Sequence, residues 1–412
     1  MDSKSKAQAF LAKHNFSIEP PAKLHSSIIE DMKKGLLSGN SDQAMINAGS
    51  AFMRSINEGE NAIVIDAGGT NFRSCLVTKK AGGIEISDFE KASMPGMDKE
   101  LNKNDFYTAI ANNISRLKDC SDKISFCFSY AMEITKDRDG KILRFSKEIK
   151  APEAVGTYLG KELLCELKKK GWKKIHKINV LNDTAALLLS SYVEHSEKKW
   201  NSHLAFILGT GMNSAYIDHA RVIVTECGMF SHLPQSDFDI IVSGRTTQPQ
   251  QSLLEKMCSG AYLGDLAFEM LLKACFEGYF SDNFAKATGR LSNITTADFD
   301  GIFDKEKSST LTELLKHGTK EDALLLKELI TAIILRSANL SAAVIYAAAI
   351  CSDKKKGELP LCIACNGSTF WKTPLLKAAV ESRLKDLLYQ SFEIIKIDDD
   401  ITKGSFAAAF IA

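Results

Sequence analysis

The segment AIVIDAGGTNFRSCLV, residues 62–77, decides how this chain is read. An apolar run ends at Asp66, two glycines and a threonine follow, and a second, alternating apolar run leaves at once. This is the pattern of a buried hairpin with a carboxylate and a bare Gly-Gly-Thr at its tip. Glycines there let backbone approach a ligand closely, and their N–H groups can form an anion-binding nest. A carboxylate two residues ahead of the first glycine would repel phosphate unless a cation bridged them. Asp66 before Gly68-Gly69-Thr70 therefore suits Mg²⁺ with a phosphate. The alternative is a plain β-turn with Asp as turn former. The common phosphate loop is excluded, since Gly-x-x-x-x-Gly-Lys-Ser/Thr does not occur.

Outward from this hairpin, residues 3–57 read as helices broken by Pro20-Pro21 and the SGNSD loop. The run from Ala62 continues as three strands. A helix over 104–118, the strand KISFCFSYA, a helix over 155–170, the strand KINVL and a helix from Thr184 come next. Strands in succession, then alternating helices and strands, indicate an α/β domain. The pattern restarts in LAFILGTGMNSAYID, residues 204–218. Placing Ala62 on Ala205 pairs Gly68 with Gly211 and Thr70 with Asn213, and sets Gly209 opposite Asp66. A strand–tip–strand unit repeated once suggests two domains of like topology whose glycine turns face one cleft. Late in the sequence, CNGSTF closes a strand at an Asn-Gly-Ser turn and opens a helix, and a small-residue helix follows FEIIKIDDD.

The 412 residues exceed one ordinary core, so two domains are expected. With 45% hydrophobic and 25% charged residues and a net charge of +1, no global field argues for nucleic acid or membrane. The lysine clusters 168–170 and 354–356 read as solvated helix ends or loops. The ten cysteines mostly sit in apolar runs, and Cys362-x-x-Cys365 reads as core strand because no second pair completes a metal site. The polar N-terminal stretch lacks the apolar region of a secretory signal. The apolar region around 329–351 is interrupted by Arg336, Ser337, Asn339 and Ser341, as in a buried core helix rather than a membrane span. A reduced, cytoplasmic protein is expected.

Asn182-Asp183-Thr184 ends an apolar strand and opens a helix. Capping would explain it, since Asp and Thr both cap well. Equally, the carboxyl end of a buried strand is where α/β folds place catalytic groups.

Taken together, VIDAGGTNFR, VLNDTAA, ILGTGMNSAY, SLLEKMCSGAYLGDL and CNGSTF resemble the hexokinase family in order and spacing, from Ala62 to the C-terminus. The resemblance implies an α/β fold of two actin-like ATPase (ribonuclease H-like) domains flanking a cleft. It implies N-terminal helices (1–58) packed on the large domain, a small domain of 59–184 plus 398–412, and a large domain of 185–397. The implied activity is ATP-dependent phosphorylation of a hexose, most simply glucose, at its 6-hydroxyl, with Mg²⁺ accompanying ATP. Asp66, Gly68, Gly69, Thr70, Asn71 and Arg73 match the first phosphate segment, with Asp66 on the metal through water. Gly209, Thr210 and Gly211 match the second phosphate segment, and Gly367 and Ser368 the adenosine-side turn. Hexose contacts fall on Ser129, Ser146, Lys147, Asn182, Asp183, Asn213, Glu226 and Glu255. Asp183 matches the general base, and Lys147 would stabilise developing charge.

The chemistry is coherent in its own right. A pyranose presents a ring of hydroxyls, which paired carboxylates and amides can both accept from and donate to. Phosphoryl transfer needs alignment and charge stabilisation more than covalent help. The alternatives are a sugar-sensing pseudokinase and a kinase for fructose, mannose or an amino sugar. A chaperone or filament ATPase of this fold would lack Glu226 and Glu255. Four segments depart from the family pattern. Phe128-Ser129-Tyr130-Ala131 stands for Phe-Ser-Phe-Pro, and Phe145-Ser146-Lys147-Glu148 for Trp-Thr-Lys-Gly. Thr225-Glu226-Cys227-Gly228 replaces Thr-Glu-Trp-Gly, and Asn366-Gly367-Ser368 replaces Asp-Gly-Ser. These changes are expected to reshape the sugar pocket's walls.

Overall fold

A computed structural model describes residues 2–411 apart from 52–53, 146–147, 195–196, 305 and 354–357. After helices Ser3–Lys13 and Leu24–Ser38, the chain forms strand β1 (Ile46–Ser50). This corrects the expectation of helix throughout 3–57. INAGS has no alternation to announce a strand, yet β1 pairs antiparallel with a later strand, Ile46 opposite Val224. Antiparallel β2 (Asn61–Gly68), β3 (Asn71–Lys80) and β4 (Gly83–Ser93) follow, then β5 (Ile124–Phe128), the small hairpin β6 (Ala131–Ile134) and β7 (Gly140–Arg144), and β8 (Ile178–Leu181). The second half repeats the plan with β9 (His203–Leu208), β10 (Met212–Asp218), β11 (Arg221–Val224), β12 (Leu361–Asn366) and β13 (Phe392–Ile395).

The sheet orders are β4-β3-β2-β5-β8 and β1-β11-β10-β9-β12-β13. Without the extra edge strand β1, both are three antiparallel strands followed by two parallel ones. The repeat is therefore one of whole domains, and the fold is the expected pair of actin-like halves. The simple offset between their tips does not hold. The first hairpin closes with Gly68 opposite Asn71, the second with Leu208 opposite Met212. The second tip thus has one more residue, so no single shift superimposes both arms.

AIVIDA reads as a continuous apolar run because β2 is covered on both faces. Ile63, Ile65 and Ala67 pack into the small domain's main core, while Ala62 and Val64 meet Phe406 and Phe410. Phe406 belongs to helix Asp400–Ala408, which also crosses helix Asp183–Glu194 between the sheets. The crossing is close enough to require glycine: a Cβ on Gly404 would lie 1.7 Å from the carbonyl oxygen of Ala186.

Helix Lys320–Cys351 is long and apolar enough to cross a membrane by length and composition, yet most of it is buried within the large domain. Three of its polar interruptions have tertiary partners. Arg336 donates two bonds of 2.8 Å to Asp239, Ser337 bonds the carbonyl of Cys258 at 2.9 Å, and Asn339 bonds that of Ile18 at 3.1 Å. Cys362 and Cys365 are free, buried thiols in β12.

Candidate active site

The sheets' glycine turns, the β6–β7 hairpin and β1 enclose a cavity of about 910 Å³. From the small domain come Asp66, Gly68, Gly69, Arg73 and Ser129, with Asn182 and Asp183 at the end of β8. The large domain contributes Gly209, Thr210, Gly211, Asn213, Glu226 and Glu255. Thr70 and Asn71 match the same segment but do not line the cavity. The carbonyl of Thr70 accepts the amide of Met94 at 3.0 Å, and Asn71 pairs with Gly68 and Ser93 in the sheet. Ser146 and Lys147 lie outside the described residues.

Asp66 sits directly opposite Arg73 in the β2–β3 ladder, which brings Arg73 Nη1 2.8 Å from Asp66 Oδ2. Burial nevertheless pushes the Asp66 carboxyl above its ordinary range, against the pull of Arg73. Burial also raises Asp183, and the nearby charge of Asp66 adds to the rise. Two neighbouring carboxylates in a buried cleft, both shifted upward chiefly by burial, suit a hard cation with oxygen ligands.

At the entrance to helix Asp183–Glu194, capping and chemistry fall on different residues. Asn182 Oδ1 accepts the Ala185 amide at 2.8 Å, which is the capping bond. Asp183 is the first helical residue, and its Oδ1 accepts the amide (2.7 Å) and hydroxyl (3.1 Å) of Thr184. The sequence alone left both roles open to this segment, and the geometry gives the cap to Asn182.

Across the cleft, Asn213 and Glu226 bind reciprocally: Asn213 Nδ2 donates to Glu226 Oε1 at 2.7 Å, and the Glu226 amide donates to Asn213 Oδ1 at 3.0 Å. These bonds hold Glu226 in the left-handed region, φ 51°, a conformation that costs a non-glycine residue about 1–3 kcal/mol. Glu255 Oε2 accepts the Met212 amide at 3.0 Å. It lies so near the second turn that a Cβ on Gly211 would be 2.8 Å from it. Burial raises both glutamates, Glu226 further through Asp183 and Glu255.

The Gly209–Gly211 turn leads into a second cavity of about 370 Å³ that shares Thr210 and is lined by Ser368, Thr369, Lys372, Gly260, Thr296 and Asp300, among others. Gly367 lines neither cavity. Its φ of 111° and a Cβ position only 2.1 Å from the Leu208 carbonyl oxygen make it the close-packed support of the turn. The Gly209 carbonyl also accepts the Gly260 amide (2.8 Å) and the Thr369 hydroxyl (2.9 Å). Thr296, Asp300 and Lys372 escaped the sequence reading, in which 276–322 is only a polar, helical elaboration of the second domain and none of the three falls in a motif. Asp400 escaped it too: Asn366 donates to its carboxylate, tying β12 to helix Asp400–Ala408. Among the departures from the family pattern, Tyr130, Ala131 and Asn366 do line the main cavity. Cys227 does not; it is fully buried in the large core. Its expected effect on the pocket wall is therefore corrected to a packing effect.

Two family models, both described as hexokinase, match this chain at residues 203–412 and 6–193. Hexokinase-9 of Oryza sativa subsp. japonica is 27% identical over 430 residues, covering 92% of this chain and 83% of its own. Hexokinase-1 of Saccharomyces cerevisiae is 26% identical over 406 residues, covering 89% and 82%. Among solved structures, a hexokinase from Schistosoma mansoni complexed with glucose superimposes with a TM-score of 0.77 at 21% identity, covering 100% of this chain and 99% of that one. Another hexokinase crystal structure gives a TM-score of 0.82 at 19% identity, covering 98% of each chain. At these identities the structural likeness speaks for the fold.

Proposed function

The chain belongs to the hexokinase family, enzymes of ATP-dependent hexose phosphorylation, and we propose that it transfers the γ-phosphoryl group of ATP to the 6-hydroxyl of glucose in preference to other hexoses. The observation that carries this reading is the convergence of Asn182, Asp183, Asn213, Glu226 and Glu255 on one cavity with two glycine turns. Such a set can pair every hydroxyl of a pyranose, and a hydroxyl read this way is discriminated strongly, because its loss leaves buried polar groups unpaired.

Asp183 acts as general base. Its Oδ1 is committed to Thr184, which fixes the carboxylate while Oδ2 receives the proton of the 6-hydroxyl. Burial raises its affinity for protons, the direction a general base requires. Asn213, Glu226 and Glu255 orient the sugar from the large domain, and the Gly68–Gly69 and Gly209–Gly211 turns offer backbone amides to the phosphates. Mg²⁺ held from the Asp66 side through water would neutralise phosphoryl charge when the nucleotide binds. Lys147 has the matching role on the sugar side. A cytoplasmic setting belongs to the same proposal and is supported by ten free cysteines, six of them buried.

A coupled assay over a hexose panel with Mg·ATP tests the reading. The highest kcat/KM is expected for glucose. A ketose or acylated amino sugar as best substrate would overturn the glucose assignment. Tight glucose binding without turnover of any hexose would instead make the protein a sensor.

A further inference from the structure

Tyr130 occupies a place where the family pattern has phenylalanine, and its hydroxyl is put to use. Tyr130 Oη donates to the carbonyl oxygen of Gly69 at 2.6 Å. Gly69 stands at φ 58° in the turn after β2, the first of the two glycine turns facing the cleft. The Tyr130 ring is nearly buried and wedged among aromatic neighbours, 4.7 Å from the Phe128 ring and 5.5 Å from that of Phe145. Phe145 immediately precedes the Ser146-Lys147 pair, and Ser129 immediately precedes Tyr130. One side chain therefore touches the phosphate turn through its hydroxyl and the sugar-binding segments through its ring and backbone.

We infer that Tyr130 is a positioning residue that latches the Gly68–Thr70 turn to the hexose-binding segments, so that occupancy of the sugar site presets the turn for nucleotide phosphates. The inference rests on the phosphotransferase reading of the same cavity. A left-handed glycine turn has few contacts of its own, and a Cβ on Gly69 would meet nothing within 4 Å. Its open side is unsupported, so a hydrogen bond from a rigid ring limits its freedom. Burial raises the phenol to about 12, which keeps the hydroxyl a donor throughout the neutral range. The coupling follows from the chain continuity of Ser129 and Tyr130. Hexose contacts that fix Ser129, the residue before Tyr130, also fix the backbone that carries the Tyr130 hydroxyl, and that hydroxyl bonds the Gly69 carbonyl. Because coupling between two ligands is reciprocal, Mg·ATP must tighten hexose binding by the same factor.

The test is Tyr130→Phe, which keeps the ring, its aromatic packing and the family's usual residue while deleting the hydroxyl. Loss of one such bond corresponds to about a three- to tenfold change in an equilibrium constant. The KM for Mg·ATP at saturating glucose should rise about three- to tenfold, while calorimetric glucose affinity without nucleotide stays within about twofold and the thermal midpoint is unchanged. Amide exchange in a peptide spanning Ala67–Phe72 should quicken by a similar factor, with or without substrates. Exchange and KM both matching wild type would overturn the latch. Faster exchange with unchanged KM would overturn its role in nucleotide binding. Should the wild-type protein phosphorylate no hexose, the functional reading fails. The latch is then judged by whether glucose slows exchange of that peptide in wild type and loses this effect in Tyr130→Phe.

Discussion

Replacing Asp183 with asparagine separates chemistry from structure at one atom. The side chain keeps its shape, and an amide oxygen can still accept the Thr184 amide and hydroxyl now held at 2.7 and 3.1 Å by Oδ1. The group placed where Oδ2 stood cannot take a proton. General-base assistance typically contributes ~10²–10⁴-fold, so Asp183→Asn should lower kcat by at least about a hundredfold. Stability should not fall. The helix cap belongs to Asn182, and burial beside Asp66 already disfavours a charge at 183; removing it should leave the urea midpoint unchanged or slightly raised. Asn182→Ala is the counterpart and should cost about 1 kcal/mol of capping. Steady-state kinetics, glucose calorimetry and urea denaturation on wild type and both variants form the assay. A folded Asp183→Asn protein that binds glucose and turns over within about threefold of wild type would remove the base from the mechanism.

Gly404→Ala should destabilise by overpacking, typically ~1–3 kcal/mol, because its methyl would lie 1.7 Å from the Ala186 carbonyl oxygen; an unaltered denaturation midpoint would show that the two helices do not meet as described. Asp239→Ala should cost ~3–5 kcal/mol by leaving Arg336 charged and unpaired in the core, and Arg336→Met combined with Asp239→Leu should recover most of that loss in the same urea experiment. Burial holds Glu255 above its ordinary value, so the native state binds its proton more tightly than the unfolded chain does. The stability this contributes is full below the unfolded value and lost as pH rises through the raised one. Unliganded wild type should therefore gain stability relative to Glu255→Gln as pH falls from the raised value toward the ordinary glutamate value, and parallel pH profiles for the two would contradict the burial argument.

Much of this architecture was legible because glycine and apolar runs leave direct marks. The AIVIDAGGT stretch announced both the hairpin and a carboxylate at its tip, and the restart at LAFILGTG announced the second domain. What the sequence concealed were choices made by tertiary contact. INAGS became an edge strand because β11 offered it a ladder, which no local propensity could reveal. The division of labour between Asn182 and Asp183 depends on a rotation of one helix entrance. Tyr130 registered only as a substitution, since its value lies in a carbonyl sixty-one residues earlier in the chain. Cys227 was misjudged for the converse reason: adjacency to Glu226 says nothing about which side of the backbone faces the sugar.

A ribosome delivers β2 early and the helix that covers its outer face late. Until Phe406 and Phe410 emerge, Ala62, Val64, Cys75 and Val77 have only one another and the partly buried Ile56, Ile84 and Ile86 on that face, and an apolar strand surface left waiting in a nascent chain is the kind that aggregates. The contact closes a loop spanning most of the polypeptide, so its entropy must be lost before any packing is gained. The small domain's sheet is thus covered on this face only after every strand of the large domain has been made.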